Sequence, residues 1–279
     1  MKQRLSRAIP TWLKLILRKI YYIPVDVMDI FTKREGMIPP RSMNFVGSGN
    51  FIEIGEGFKK HFIELGNLRP SDRVLDVGCG IGRMAVPLTS YLTKAGEYWG
   101  FDIVKSGIEW CQNRISPTYS NFHFLHSDIY NKEYNPHGKI QAQDFKFPFE
   151  DDFFDFVFLT SVFTHMLPSD VENYISEISR VLKTGGKCLI TFFLLNEGSS
   201  ELIRAGKSAI DFRYDLNGCF SSDDKTPEAA IAYDEGVVRK LFDQNRLAIK
   251  QPIYYGSWCH RDKFFTFQDL IVAEKANSI

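Results

Sequence analysis

The run Val74-Leu75-Asp76-Val77-Gly78-Cys79-Gly80-Ile81-Gly82-Arg83 constrains this chain more than any other stretch, because three glycines at alternate positions stand directly behind an apolar segment. Arg73 to Val77 reads as a buried strand. A strand that ends in a glycine-rich turn before a helix lets the main chain approach a ligand closely, either a dinucleotide or another adenosine-bearing cofactor. Spacing separates the two. The dinucleotide fingerprint G-x-G-x-x-G places a third glycine where this chain, counted from Gly78, has Arg83; Gly82 comes one residue early. Asp76 precedes the loop and offers a carboxylate, which suits an ammonium group better than a pyrophosphate.

The rest of the chain alternates helix and strand. Phe51, Ile54, Phe58, Phe62 and Leu65 recur at helical spacing up to Gly66, and Pro70 separates that helix from the strand beginning at Arg73. Beyond the glycine loop the pattern predicts a helix over 83–92, a strand over 98–103, a helix over 105–115 and a strand over 122–126. Val157-Phe158-Leu159 reads as a buried strand. Ser169-Asp170-Val171-Glu172 reads as a capping box that opens a helix with Val171, Tyr174, Ile175, Ile178, Val181 and Leu182 on one face, ended by Gly185-Gly186. A strand over 187–193, a helix over 237–242 and a closing pair of strands over 247–255 and 265–273 follow. Such alternation predicts a doubly wound, Rossmann-like α/β fold, mostly parallel with an antiparallel closing strand, with ligands at the carboxyl ends of its strands.

Composition narrows the partners. With 34 basic and 34 acidic residues the formal charge is zero, which argues against a generalised nucleic-acid binder. Cys79, Cys111, Cys188, Cys219 and Cys259 form no C-x-x-C pair and are odd in number, as expected of reduced thiols in a cytosolic protein. No metal site is expected, and Asp151-Asp152 reads as a solvated turn. Lys2, Arg4, Arg7, Lys14, Arg18 and Lys19 precede the first acidic residue, Asp26, and Trp12, Leu13, Leu15, Ile16, Leu17 and Ile20 supply an apolar stripe. Residues 1–23 therefore read as an amphipathic basic helix, too short and too charged to span a bilayer, that lies on an anionic membrane surface or packs on the domain. The Pro-rich hinge Ile38-Pro39-Pro40 marks the end of this extension, taken as residues 1–40.

Taken together, these segments resemble the class I S-adenosylmethionine-dependent methyltransferases, from about residue 50 to residue 275, and residues 41–279 are expected to form that domain. Asp76-x-Gly78-x-Gly80-x-Gly82 is similar to the family's opening motif, and the resemblance implies that Asp76 faces the amino group of S-adenosylmethionine. Asp102 stands at the end of the second strand, where its two oxygens can accept both ribose hydroxyls. Asp128, in Ser127-Asp128-Ile129 after the third strand, matches the acidic residue set against the adenine amino group, and Gln143-Asp144 is an alternative occupant of that place. Cys79, Ile103, Ile129 and Thr160 complete the implied cofactor set. Phe154 to Met166 resembles the fourth strand and the loop after it, and Leu182-Lys183-Thr184-Gly185-Gly186 resembles the turn before the fifth.

His165 follows a strand end expected to face the methyl donor, so it either accepts a proton from a substrate hydroxyl or caps the loop and shapes the pocket. Acceptor recognition is expected from variable parts: the N-terminal segment, residues 196–232, and the closing hairpin. In that hairpin Tyr254, Tyr255, Trp258, His260 and Arg261 suit stacking on a sugar or aromatic ring. Arg41, Asn44 and Asn50 are candidates to close over the methionine carboxylate. The sequence thus points to methyl transfer onto a small-molecule or glycan-like acceptor, at a hydroxyl oxygen. N- or C-methylation of another metabolite and a non-catalytic S-adenosylmethionine-binding scaffold are the alternatives. An oxidoreductase is disfavoured by Arg83.

Overall fold

The computed structural model describes residues 20–28, 36–45, 49–132 and 134–277. Its centre is a seven-stranded sheet in the order β10-β11-β5-β4-β1-β2-β3. The strands are β1 (Arg73–Val77), β2 (Glu97–Asp102), β3 (Phe122–His126), β4 (Phe154–Leu159), β5 (Leu182–Phe192), β10 (Leu247–Tyr254) and β11 (Asp269–Lys275). β1 to β5 run parallel, and β11 enters antiparallel between β5 and β10. A mostly parallel sheet is covered on both faces, so alternate residues of each strand enter opposite cores. Leu75, Val77, Val157, Leu159 and Ile190 face α4 (Pro168–Val181) and α6 (Glu235–Gln244). Val74, Tyr98, Phe156, Phe158 and Leu189 face α1 (Phe51–Glu64), α2 (Ala85–Leu88) and α3 (Lys105–Arg114). The periodicity of α1 lands where expected: Phe62 is fully buried and stacks on Phe158 at 4.2 Å.

Four local expectations differ from the structure. The helix expected over 83–92 is one turn long, and Pro87, which has no N–H to give to the carbonyl of Arg83, sits inside it. α4 starts at Pro168 rather than after Ser169, with Leu167 at the N-cap and the Asp170 carboxylate accepting from the Leu167 N–H at 3.3 Å. Gly185-Gly186 does not end that helix. The chain turns from helix to strand at Leu182, and both glycines fall within the β5 span beside a register shift against β4. The last strand begins at Asp269, so residues 255–268 form a long hairpin loop.

Residues 193–234 build a feature that periodicity does not announce, a four-stranded sheet in the order β6-β9-β8-β7 with α5 (Glu197–Arg204). Its strands are β6 (Leu194–Leu195), β7 (Tyr214–Asp215), β8 (Cys219–Ser221) and β9 (Ile231–Asp234). Phe193, Phe212, Ala232, Trp258 and Cys259 form a small core beneath it. The N-terminal expectation lies outside the described residues up to position 19. Of the stripe only Ile20 is described, and it is exposed, as are Tyr21, Ile23, Val27 and Met28 of the helical residues 20–28. Among the described residues, no helix is long and apolar enough to cross a membrane.

The small sheet is tied to the large one by Asp269. Its Oδ1 accepts from Gly256 N–H at 2.7 Å, and its Oδ2 accepts from Leu194 N–H and the Trp258 indole N–H, each at 2.7 Å. Substituting Asp269→Ala strands three buried donors, at about 1–3 kcal/mol each. The variant is expected to lose at least about 3 kcal/mol in urea unfolding, with a left-shifted midpoint and an unchanged slope.

Candidate functional site

The glycine loop leaves the carboxyl end of β1 in a conformation few other residues could hold. Gly78, Gly80 and Gly82 have φ of +82°, +58° and +82°, all in the left-handed region where a side chain is strained. The space around them adds a second requirement. A Cβ on Gly78 would stand 2.5 Å from Val162 Cγ2, and one on Gly82 would stand 2.9 Å from Cys111 Sγ. Gly82 thereby seats the loop on α3, and Gly78 admits the segment after β4. The loop is also pinned from the sheet, since the N–H groups of Gly78 and Cys79 donate to Phe101 O at 2.9 and 3.1 Å.

Two aspartates lie beneath and beside this loop. Asp76 is fully buried, opposite Gly100 in the β1–β2 register, and its Oδ2 accepts from the Tyr98 hydroxyl at 2.6 Å. Its Oδ1 has no hydrogen-bond partner among the described residues, and burial pushes the carboxyl up to about 8. Asp102, 9% exposed, uses both oxygens structurally: Oδ2 accepts from Gly80 N–H at 2.7 Å and Oδ1 from Val104 N–H at 2.8 Å. Burial raises its pKa while these N–H groups lower it. Each oxygen keeps a second lone pair, so a diol can still be received.

Arg83, read from the sequence only as a missing glycine, is the residue that motif spacing passed over. Its Nε is buried without a hydrogen-bond partner among the described residues, and burial lowers its pKa. The chain thus carries an unpartnered carboxylate oxygen at the end of β1 and an unpartnered guanidinium nitrogen directly after the last loop glycine. The signal available in the sequence was a cation directly after the last loop glycine.

The outer parts of the set are placed as follows. Ile103, directly after β2, is half-buried, Ile129, three residues past β3, is buried, and Cys79 is buried within the loop. Asp128 turns to the segment after β3, with Asn135 Nδ2 3.5 Å from its Oδ1 and Lys139 Nζ 4.0 Å from its Oδ2. Gln143 and Asp144 lie on an exposed 3₁₀ turn whose Ala142 carbonyl accepts from Asn173 on α4. Asn50 caps α1, its Oδ1 accepting from Ile52 and Glu53 N–H. The Arg41 N–H donates to Asp26 at 2.7 Å.

Across the loop stands the segment after β4. Thr160 is half-buried. Ser161 adopts φ +60°, held by its N–H to the fully buried Thr191 hydroxyl at 2.8 Å and by its own hydroxyl 3.0 Å from Gln268 Oε1. A non-glycine residue in that region stores strain that only its surroundings maintain. The segment continues through Val162, against Gly78, to His165, whose Nδ1 lies 2.8 Å from Glu228 O.

The closing hairpin does not gather its aromatic residues into one surface, and Trp258 is a correction: fully buried on Phe193 and Phe212, it is a core residue and offers no face to a ligand. Tyr255 donates to Glu235 Oε2 at 2.8 Å beneath the Arg261 guanidinium. Tyr254 meets the ring of Phe265 at 4.8 Å, and exposed His260 turns to Lys207 O. The exposed aromatic groups of the loop are Phe264, Phe265 and Phe267. Among the described residues no group of three or more His, Cys, Asp or Glu could hold a metal.

Residues 75–190 match the family model of a methyltransferase domain. The chain is 28% identical over 152 residues to phosphoethanolamine N-methyltransferase 2 of Caenorhabditis elegans, covering 54% of this chain and 30% of that protein. It is 30% identical over 153 residues to a ubiquinone/menaquinone biosynthesis C-methyltransferase of Ectopseudomonas mendocina, covering 54% of this chain and 52% of the relative. The chain thus spans about half or less of the length of these curated relatives. A solved protein of Pyrococcus horikoshii shares the fold at TM-score 0.56 and 18% identity, over 84% of this chain and 95% of that one. Residues 75–190 thus match a methyltransferase domain, and by that match and its fold the chain resembles the class I S-adenosylmethionine-dependent methyltransferases.

Proposed function

We propose that the protein transfers a methyl group from S-adenosylmethionine to a small-molecule acceptor through an oxygen or nitrogen that carries a proton. The observation that carries this reading is the pair of unpartnered buried groups that flank the loop glycines, Asp76 Oδ1 and Arg83 Nε. In it, Asp76 receives the α-ammonium, Arg83 the carboxylate, Asp102 the ribose hydroxyls through its free lone pairs, and Asp128 the adenine amino group, with Ile103 and Ile129 beside the base. Bound S-adenosylmethionine supplies an electrophilic methyl group on a sulfonium sulfur. The chain's part is alignment, which can contribute about 7–11 kcal/mol when the reacting atoms are held in line. The close approach of Val162 to Gly78 supports this, because it sets the segment bearing His165 directly over the loop.

The acceptor's class rests on His165 and on the relatives. Those named above act on a phosphoethanolamine nitrogen and in quinone biosynthesis on a carbon, so neither name favours an oxygen. A hydroxyl oxygen or an amine nitrogen is the reading here, because the imidazole of His165 suits proton removal from either. A glycan-like acceptor loses one of its supports with Trp258 in the core.

Binding of S-adenosylhomocysteine, measured by calorimetry, tests the cofactor assignment. Arg83→Gln is expected to weaken it roughly tenfold or more, at about 1.5–3 kcal/mol for a charged hydrogen bond, while leaving adenosine binding unchanged. Equal losses for both ligands would remove Arg83 from the carboxylate. Asp102→Ala is expected to weaken both ligands and to lower stability as well, since Gly80 and Val104 lose their acceptor.

Asp76 makes binding proton-linked. Its carboxyl, at about 8, is mostly protonated at pH 7 before binding, and an ammonium beside it favours the ionised form. Binding at pH 7 is therefore expected to release a proton, and affinity is expected to rise with pH up to about 8. Calorimetry in two buffers of different ionisation enthalpy reads that release, and Asp76→Asn is expected to abolish it. Heats independent of buffer would show that no ammonium meets Asp76.

The basic extension supports a further partner, an anionic bilayer surface, because the described residues 20–28 expose their apolar side chains. Removing residues 1–23 is expected to abolish co-sedimentation with phosphatidylserine vesicles. Unchanged sedimentation would end the membrane reading.

A further inference from the structure

His165 ends the 3₁₀ turn Phe163–His165, and its Nδ1 stands 2.8 Å from the main-chain oxygen of Glu228. A carbonyl oxygen can only accept, so a neutral imidazole in that position must carry its hydrogen on Nδ1. Free histidine in water prefers the other tautomer. The carbonyl is not there by accident of a loose loop, because residues 221–230 form a strap with its own internal anchors. Ser221 is fully buried, and its Oγ lies 2.8 Å from Pro227 O and 2.9 Å from Asp223 O while accepting from Asp223 N–H at 3.1 Å. Asp223 Oδ1 accepts from the N–H groups of Lys225 and Thr226, and Ser222 N–H closes the base of the strap on Ala230 O. From the segment after β3, Lys132 Nζ donates to Lys225 O at 3.1 Å, and the Tyr134 ring meets the His165 ring edge-on at 6.4 Å.

We propose that this strap fixes His165 as its Nδ1–H tautomer, leaving Nε2 with a lone pair for the proton of the methyl acceptor, and that Ser221 is the positioning residue of the arrangement. Its catalytic meaning rests on the methyl-transfer reading; the tautomer itself does not. In the reaction the acceptor heteroatom's electron pair forms the bond to the methyl carbon, and the carbon–sulfur pair stays with sulfur. The heteroatom's proton passes to Nε2, and the imidazolium charge is held by the Nδ1–H···O contact. The acceptor this selects is a hydroxyl or an amine, whose attacking atom carries a proton that a lone pair on Nε2 can take.

The test is a long-range ¹H–¹⁵N correlation spectrum of the histidine rings, recorded above their titration range on the full chain. The six histidines are sorted by the signal lost in His165→Gln. A protonated Nδ1 and a bare Nε2 at His165 are expected, and the reverse pattern or an even mixture would overturn the proposal. Ser221→Ala is expected to move the ring towards the Nε2–H form, and Ser221→Thr, which keeps a hydroxyl, to restore it. Should Ser221→Ala fail to fold, Asp223→Ala loosens the same strap and is read in the same way. A tautomer indifferent to a folded strap variant would remove the positioning role. Because the spectrum needs neither cofactor nor acceptor, a protein that failed to bind S-adenosylhomocysteine would still report on the strap.

Discussion

The hydrogen bond from the Gly80 N–H to Asp102 Oδ2 is the link on which the site depends, because it joins the turn after β1 to the end of β2. A carboxylate taken into the edge of a core must be met by donors or its burial is costly. Here the donors are the main-chain N–H groups of the loop and of Val104, so the demand of Asp102 for partners fixes the path of the chain on both sides of it. Gly100 completes the arrangement. A Cβ there would come within 2.8 Å of Cys79 Cβ, so the loop lies flat against β2 only because that strand has a gap in its side chains.

Asp76 and Asp102 are neighbours with different physical roles. Asp102 has both oxygens met by backbone N–H groups and is held in place by them. Asp76 has one oxygen satisfied by Tyr98 and one that is not, and it is held at an energetic disadvantage that a cation relieves. Arg83 is its counterpart of opposite sign. On the proposed reading, the two unmet groups suit a ligand that bears both charges.

The second half of the site comes from the other side of the sheet's carboxyl edge. Ser161 is strained, and the strain is maintained by a buried threonine on β5 and a glutamine in the closing hairpin. The turn it makes drives Val162 onto Gly78 and carries His165 under the strap. The segment after β4 thus meets the glycine loop at Val162 and residues 221–230 at His165.

What the sequence by itself determined was the order of strands and helices and the glycine loop, whereas several element ends fell elsewhere. The alternation of apolar runs identified each strand of the parallel sheet, because a residue's face is set by period alone, and the loop's glycines were marked because left-handed backbone admits few other residues. Asp102 was marked by standing at a strand end at a fixed distance from the loop. Tertiary structure decided the rest, because it turns on which distant groups supply a partner. Trp258 resembled a ligand-stacking residue until Asp269, Phe193 and Phe212 closed around it, whereas Phe264 and Phe267 in the same loop remain in solvent. Arg83 became a candidate for the site only through an Nε left without a partner. His165 meets a carbonyl 63 residues away, and no pattern in a linear sequence records which backbone oxygen a side chain will meet.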